Sequence, residues 1–119
     1  IVIDVTHGLT PDAKGDISFE LGSGPAIAVG PGLSKKHTDM LINFASENNI
    51  PFSIEVTNGH TGTNSLAYEV SGEGVPCMVI SLPLRYMHTA YETADLSDVE
   101  NVIMLITNFI NRYGEWENA

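Results

Sequence analysis

Pro76-Cys77-Met78-Val79-Ile80-Ser81-Leu82-Pro83-Leu84-Arg85-Tyr86-Met87-His88-Thr89 decides how the rest of the chain is read. Its first seven residues form a strongly apolar run closed by a proline, which predicts a buried strand over Pro76–Leu82. The strand leads into a loop rich in polar and aromatic groups. A second apolar run, Ile1-Val2-Ile3-Asp4-Val5, is β-branched and predicts another buried strand. Between them, Ala26–Val29 is closed by Gly30-Pro31-Gly32, and Phe52–Thr57 alternates as a strand does.

Helical spacing fills the intervals. Met40, Leu41, Phe44 and Ala45 give residues 34–48 one apolar face, with Ser34 as N-cap and Pro51 beyond the end. Thr63–Ser71 predicts a short helix. The final helix is expected to start on a Ser97–Glu100 capping box and to bury Val99, Val102, Ile103, Ile106, Phe109 and Ile110. Gly114 is expected to close it, leaving Glu115–Ala119 loose. The segment 6–24 reads as loop with a short strand at Ile17–Leu21. Strands alternating with helices predict an α/β domain whose mostly parallel sheet is flanked by helices. Ligands of such sheets gather at the C-terminal ends of strands.

The chain has 119 residues, one domain's worth, and its 43% hydrophobic content is that of a globular protein. Its net charge of −10 argues against nucleic acid and against an anionic membrane surface. Cys77 is the only cysteine, so no internal disulfide can form. No apolar run approaches the ~20 residues of a membrane span, and no signal peptide is evident. A reducing, cytoplasmic setting is expected. The first residues read as the interior of a strand, which suggests that further sequence precedes them.

Chemistry concentrates at two places. Asp4 is a carboxylate within an apolar strand, costly unless paired or bound to a metal; it equally suits a cap on the next turn. Thr6 and His7 follow it. His88 lies beyond the Pro76–Leu82 strand, where an imidazole can bind a divalent ion or serve an ordinary loop. Glu92 and Asp95 either orient it or are simply solvated, Asp95 is also placed to help begin the last helix, and Arg85 to grip a carboxylate. Gly59-His60-Thr61-Gly62-Thr63-Asn64 reads as a tight turn suited to lining a substrate pocket. It lacks the lysine of a phosphate-binding loop. No nucleophile elbow, His-Glu-x-x-His helix or Cys-x-x-Cys site is present.

In order, Ile3-Asp4-Val5-Thr6-His7, Leu21-Gly22-Ser23-Gly24-Pro25, Gly62-Thr63-Asn64-Ser65 and Ile80-Ser81-Leu82-Pro83-Leu84-Arg85-Tyr86-Met87-His88-Thr89 resemble the M42 metallo-aminopeptidases. Glu92, Asp95-Leu96 and Asp98-Val99-Glu100 continue the match. That family includes glutamyl and deblocking aminopeptidases, and some members carry an endoglucanase label. The resemblance implies the C-terminal portion, over 1–119, of a zinc-peptidase-like (M42/M28) catalytic domain. It implies two divalent ions, zinc or cobalt, with Asp4 on one and His88 on the other. Thr6, His7, Thr63, Arg85 and Glu92 would support the ligands or line the substrate pocket.

The family's early histidine, bridging aspartate, Glu-Glu pair with the general base, and lid domain lie upstream of this stretch. No catalytic residue is therefore expected within this chain. Alone it should bind metal weakly or not at all and lack peptidase activity. The resemblance further implies peptide substrates and a homo-oligomeric parent enzyme. Asn64-Ser65 departs from the Asp-Ala that many members carry. The competing readings are a stand-alone binding or scaffold module of the same fold and, on the old label alone, a glycoside hydrolase.

Overall fold

A computed structural model describes residues 1–12, 18–59 and 62–117, with side chains up to residue 115. Four strands and three helices follow one another as β1 (Val2–His7), β2 (Ala26–Val29), α1 (Lys35–Glu47), β3 (Ser53–Val56), α2 (Ser65–Glu69), β4 (Val79–Leu84) and α3 (Leu96–Glu117). The sheet order is β1-β4-β2-β3. The β1/β4 and β2/β3 pairs are parallel, and the central β4/β2 pair is antiparallel. The last strand in sequence thus sits inside the sheet, beside the first.

Two of the three pairings are parallel, as the alternation of strands and helices predicts. β4 begins and ends later than expected, because it continues through Pro83. Pro83 has no N–H to give, yet it pairs in register with Thr6 of β1. The β2 partnership ends at Ser81, so no β2 residue pairs with Pro83. Phe19 makes only an isolated bridge to Gly8, and Ile17 lies outside the described residues.

The core lies between one sheet face and helices α1 and α3. Ile27, Ile80 and Met78 meet Leu41, Phe44, Ala45, Val102, Leu105 and Phe109. Phe44 and Phe109 contact edge to face, with ring centroids 6.0 Å apart. Helix α1 starts as expected, with the Ser34 hydroxyl facing the His37 amide.

Helix α3 departs from expectation at both ends and along its side. Its cap is Asp95, whose Oδ1 accepts the Ser97 amide at 2.8 Å, not Ser97. Asp95, also expected to help begin the helix, lies two residues before the predicted capping box and reaches the second helical N–H directly. Gly114 does not end the helix, which runs on to Glu117, so Glu115 onward is not loose up to that point. The buried stripe is Val102, Leu105 and Phe109, while Ile103 and Ile110 stand 60% and 55% exposed. The apolar arc of α3 is wider than the surface it packs on. Leu105, fully buried, was absent from the expected face.

Candidate functional site

The register brings two distant segments to one end of the sheet. β1 and β4 run parallel and finish together, with His7 beside Leu84. The pairing continues past the strands: the Gly8 amide donates to the Leu84 carbonyl at 2.8 Å. Arg85 Nε donates to the Leu9 carbonyl at 2.6 Å. A Cβ on Gly8 would lie 3.0 Å from the Leu84 carbonyl carbon, so this seam is closed tightly. Asp4 lies three residues before the end of β1, and His88 lies four residues after the end of β4.

Asp4 is half-buried in mid-strand, and its Oδ1 accepts the Val5 amide at 2.8 Å. That bond fixes the side-chain direction locally. Alternation places Asp4 and Thr6 on the face opposite Ile3 and Val5. In-register neighbours share a face, so Asp4 stands beside Ser81, Ser81 beside Ala26, and Ala28 beside Glu55. This face is polar at its edges and lined with small residues in the middle. Thr6 is buried, and its hydroxyl donates to Glu55 Oε1 at 2.9 Å.

His88 is exposed and adopts a left-handed backbone with φ 64°, as does Tyr86 with φ 60°. Two non-glycine residues in this region within three positions store local strain, which concentrates where function holds the backbone. The His88 amide donates to Glu92 Oε1 at 2.8 Å. Arg85 pairs antiparallel with Thr93 through both backbone amides, closing the loop around His88. Glu92 therefore shapes the backbone under His88 and does not bond its ring. Arg85 donates to a backbone carbonyl rather than to the carboxylate expected of it.

The remaining candidates separate. His7 is exposed at the end of β1, and its carbonyl accepts the Phe19 amide. The Thr63 hydroxyl accepts the Ser65 amide at 3.2 Å and so sits at the start of α2. Asn64 makes no side-chain capping bond. His60 and Thr61 lie outside the described residues.

Sequence reasoning missed Asp98 and Glu55. Asp98 is fully buried, and its two carboxylate oxygens accept the Gly22 and Gly24 amides at 2.8 Å each. It ties the turn before β2 to the first turn of α3. Gly24 has φ 90°, and a Cβ there would lie 2.1 Å from the Pro51 carbonyl oxygen. The signal lies in the sequence: Leu21-Gly22-Ser23-Gly24-Pro25 and Asp98 are parts of one ordered pattern.

Asp4 and His88 supply an oxygen and a nitrogen donor of the kinds that zinc accepts. Among the described residues no three His, Cys, Asp or Glu side chains gather as a metal-binding group. The two donors fit a metal site in part, below the three protein ligands that a catalytic zinc takes. Among the described residues no helix is long and apolar enough to cross a membrane.

Comparison with known proteins identifies the family and the fold. The sequence profile of the family described as M42 glutamyl aminopeptidase matches residues 1–105. The lysyl aminopeptidase of Pyrococcus furiosus is 40% identical over 105 residues, covering 88% of this chain and 30% of that protein. Aminopeptidase APDkam598 from the archaeon Desulfurococcus kamchatkensis superimposes with a TM-score of 0.80 at 33% identity, over 91% of this chain and 32% of that one. The Pyrococcus horikoshii TET1 peptidase, described as assembling into a tetrahedron or a large octahedral shell, gives a TM-score of 0.61 at 25% identity. That match covers 87% of this chain and 31% of that one. The chain thus spans about 30% of the length of the curated relative.

Proposed function

Since this chain belongs to the M42 glutamyl aminopeptidase family, we propose that it forms the C-terminal part of the catalytic domain of a dinuclear metallo-aminopeptidase. Asp4 would hold one divalent ion, zinc or cobalt, and His88 its neighbour. Bound there, the ions would lower the pKa of a water and polarise the carbonyl of a peptide's first bond. The observation that supports the reading is the closed parallel seam between β1, which carries Asp4, and β4, which leads into the loop of His88.

The chain's own residues do the positioning. The Val5 amide holds the Asp4 carboxylate in one direction. Glu92 and the Arg85–Thr93 bridge hold the loop that presents His88. Within the described residues no further side chain completes either ligand set, so the isolated chain is proposed to be inactive and a weak metal binder. Peptides are the proposed substrates of the parent enzyme, and a homo-oligomer its proposed state. Relatives that assemble as shells support the latter.

A chimaera tests this. Residues 1–105 would replace the matching segment of the Pyrococcus furiosus lysyl aminopeptidase. The chimaera should release the chromophore of a lysyl-p-nitroanilide in the presence of cobalt. Asp4→Ala and His88→Ala should each lower kcat/KM by more than about 100-fold, beyond the effect of losing a supporting group. A folded, active chimaera that is indifferent to both substitutions contradicts the assignment.

A further inference from the structure

An aspartate in the first turn of a helix commonly faces solvent and complements the helix dipole. Asp98 is instead completely buried, and both its oxygens bond outside the helix, to the Gly22 and Gly24 amides. A buried carboxylate is costly unless such bonds offset it. The turn it holds reaches across the base of the hairpin that carries His88. Arg85 and Thr93 form that base, joined by amide bonds in both directions at 2.8 and 3.1 Å. On the Arg85 side, Leu21 packs on Gly8: a Cβ there would lie 2.6 Å from Leu21 Cδ1 and 3.2 Å from the Arg85 nitrogen. On the other side, a Cβ on Gly22 would lie 3.2 Å from Asp95 Oδ2. Phe19, just before the turn, donates to the His7 carbonyl at 2.9 Å and accepts the Leu9 amide at 2.7 Å. Arg85 Nε returns to the Leu9 carbonyl. These contacts close a ring that runs from α3 through the turn to the end of β1, on to Arg85, and back through Thr93 to Asp95.

We propose that Asp98 is a positioning residue for His88. By clamping the Leu21–Gly24 turn to the first turn of α3, it sets where the hairpin of residues 85–93 stands relative to the end of β1. The proposal rests on the reading of His88 as a metal ligand. Tyr86 and His88 have left-handed backbones, φ 60° and 64°, a conformation that persists only where the surrounding structure enforces it. The Glu92 bond and the Arg85–Thr93 pair act within the hairpin, so they would tilt with it. Its placement must come from outside. Arg85 ties one side to β1 through the Leu9 carbonyl. The other side runs through Asp95 into α3, whose first turn Asp98 fixes to the same frame by two bonds to a carboxylate, the stronger kind of hydrogen bond.

Hydrogen exchange in this chain tests the clamp without any metal. Asp98→Asn keeps one acceptor oxygen and turns an NH2 group toward the other amide, a milder change than Asp98→Ala. Leu41→Ala is the control, since it removes a completely buried side chain of α1 that has no part in the ring. Asp98→Asn should speed exchange at the His88 and Thr93 amides by about tenfold more than Leu41→Ala does. Equal exchange at those amides in the two variants overturns the clamp. In the chimaera, Asp98→Asn should weaken one of the two cobalt ions by about 10- to 100-fold, leave the other within about threefold, and lower kcat with KM nearly constant. Leu41→Ala should keep parental metal affinity and kcat below its melting temperature. An active chimaera in which Asp98→Asn keeps both, or in which Leu41→Ala loses as much, overturns the positioning role. An inert, metal-free chimaera with Asp98 intact overturns the assignment of His88 and the proposal with it, while exchange still reports on the clamp.

Discussion

The sheet has two unequal halves on its helix-covered side. Around β2 and the inner part of β4, Ile27, Ile80, Leu41 and Leu105 are completely buried between sheet and helices. Around β1, Ile3 of the strand and Ile103 and Ile110 of the adjacent helix stay more than half exposed. The same residue types at the same spacing are core in one half and surface in the other. Stability therefore resides around α1, β2 and β4, whereas Asp4 stands on the thin half. The thin half is held by discrete tethers: the Gly8–Leu84 bond, the Arg85–Leu9 bond and the Thr6–Glu55 bond. A strand held by discrete hydrogen bonds opens more readily than one held by packing.

Truncating each half should expose this contrast most clearly. Phe109→Ala removes a buried ring that meets Phe44 and Tyr113, and should cost about 3–5 kcal/mol in urea denaturation. Ile103→Ala, on the exposed side of the same helix, should cost less than about 1 kcal/mol. Equal losses would erase the distinction between the halves.

Next comes the joint between the turn at Gly22–Gly24 and α3. Asp98→Ala orphans two buried amides and should cost about 2–4 kcal/mol by the same measurement. Asp98→Asn keeps an acceptor oxygen for one amide but turns an NH2 toward the other, so it should recover only part of the loss. Full recovery by asparagine would show that burial, rather than the pair of acceptor bonds, sets the requirement.

Cys77 sharpens the comparison kinetically. Burial, with the nearby Glu69 carboxylate adding to it, pushes its thiol above the ordinary range. Its Sγ faces the Val75 carbonyl at 3.2 Å, beside the start of β4. Less thiolate and little access both slow modification. Alkylation of Cys77 should therefore proceed at the rate of global opening, whereas amides at the end of β1 exchange faster. Rapid alkylation in the folded chain would place the opening in the dense half instead.

The smallest effect concerns pH. Asp95 is held below its ordinary carboxylate value by the Ser97 hydroxyl and then by the Ser97 amide. A folded-state pKa below the unfolded one adds stability above the unfolded pKa, near 4, and loses it as pH falls through the folded value. Helical circular dichroism should be flat between about pH 5 and pH 7 and fall slightly below about pH 4. Asp95→Asn should flatten that last step. The contribution is small, because the carboxylate lies at the surface.

Much of the fold could be read from the residues. β-branched runs marked β1 and β4, Ser34 marked the start of α1, and Pro51 its end. The strand order could not be read, because insertion of β4 between β1 and β2 is a property of the crossover connections and not of any local run. The width of the α3 core face was overestimated for a related reason: periodicity shows which residues are apolar, not how much surface a neighbour offers them. At the site, the ordered motifs around Asp4 and His88 made both recognisable as candidates. Glu55 was not, since alternation within Phe52–Thr57 marks a charged residue as solvent-facing. Asp98 was hidden in the same way, as an acid in the first turn of a helix, where acids are common.

The convergence of β1 and β4 at one end carries the whole account, and a spin-label distance tests it most directly. With Cys77→Ser as background, nitroxides at His7→Cys and Thr89→Cys should couple strongly, as befits the last residue of one strand and the loop after its neighbour, whose backbones lie about 5 Å apart. A separation approaching the 47 Å long dimension of the molecule would place the two segments at opposite ends and contradict the site.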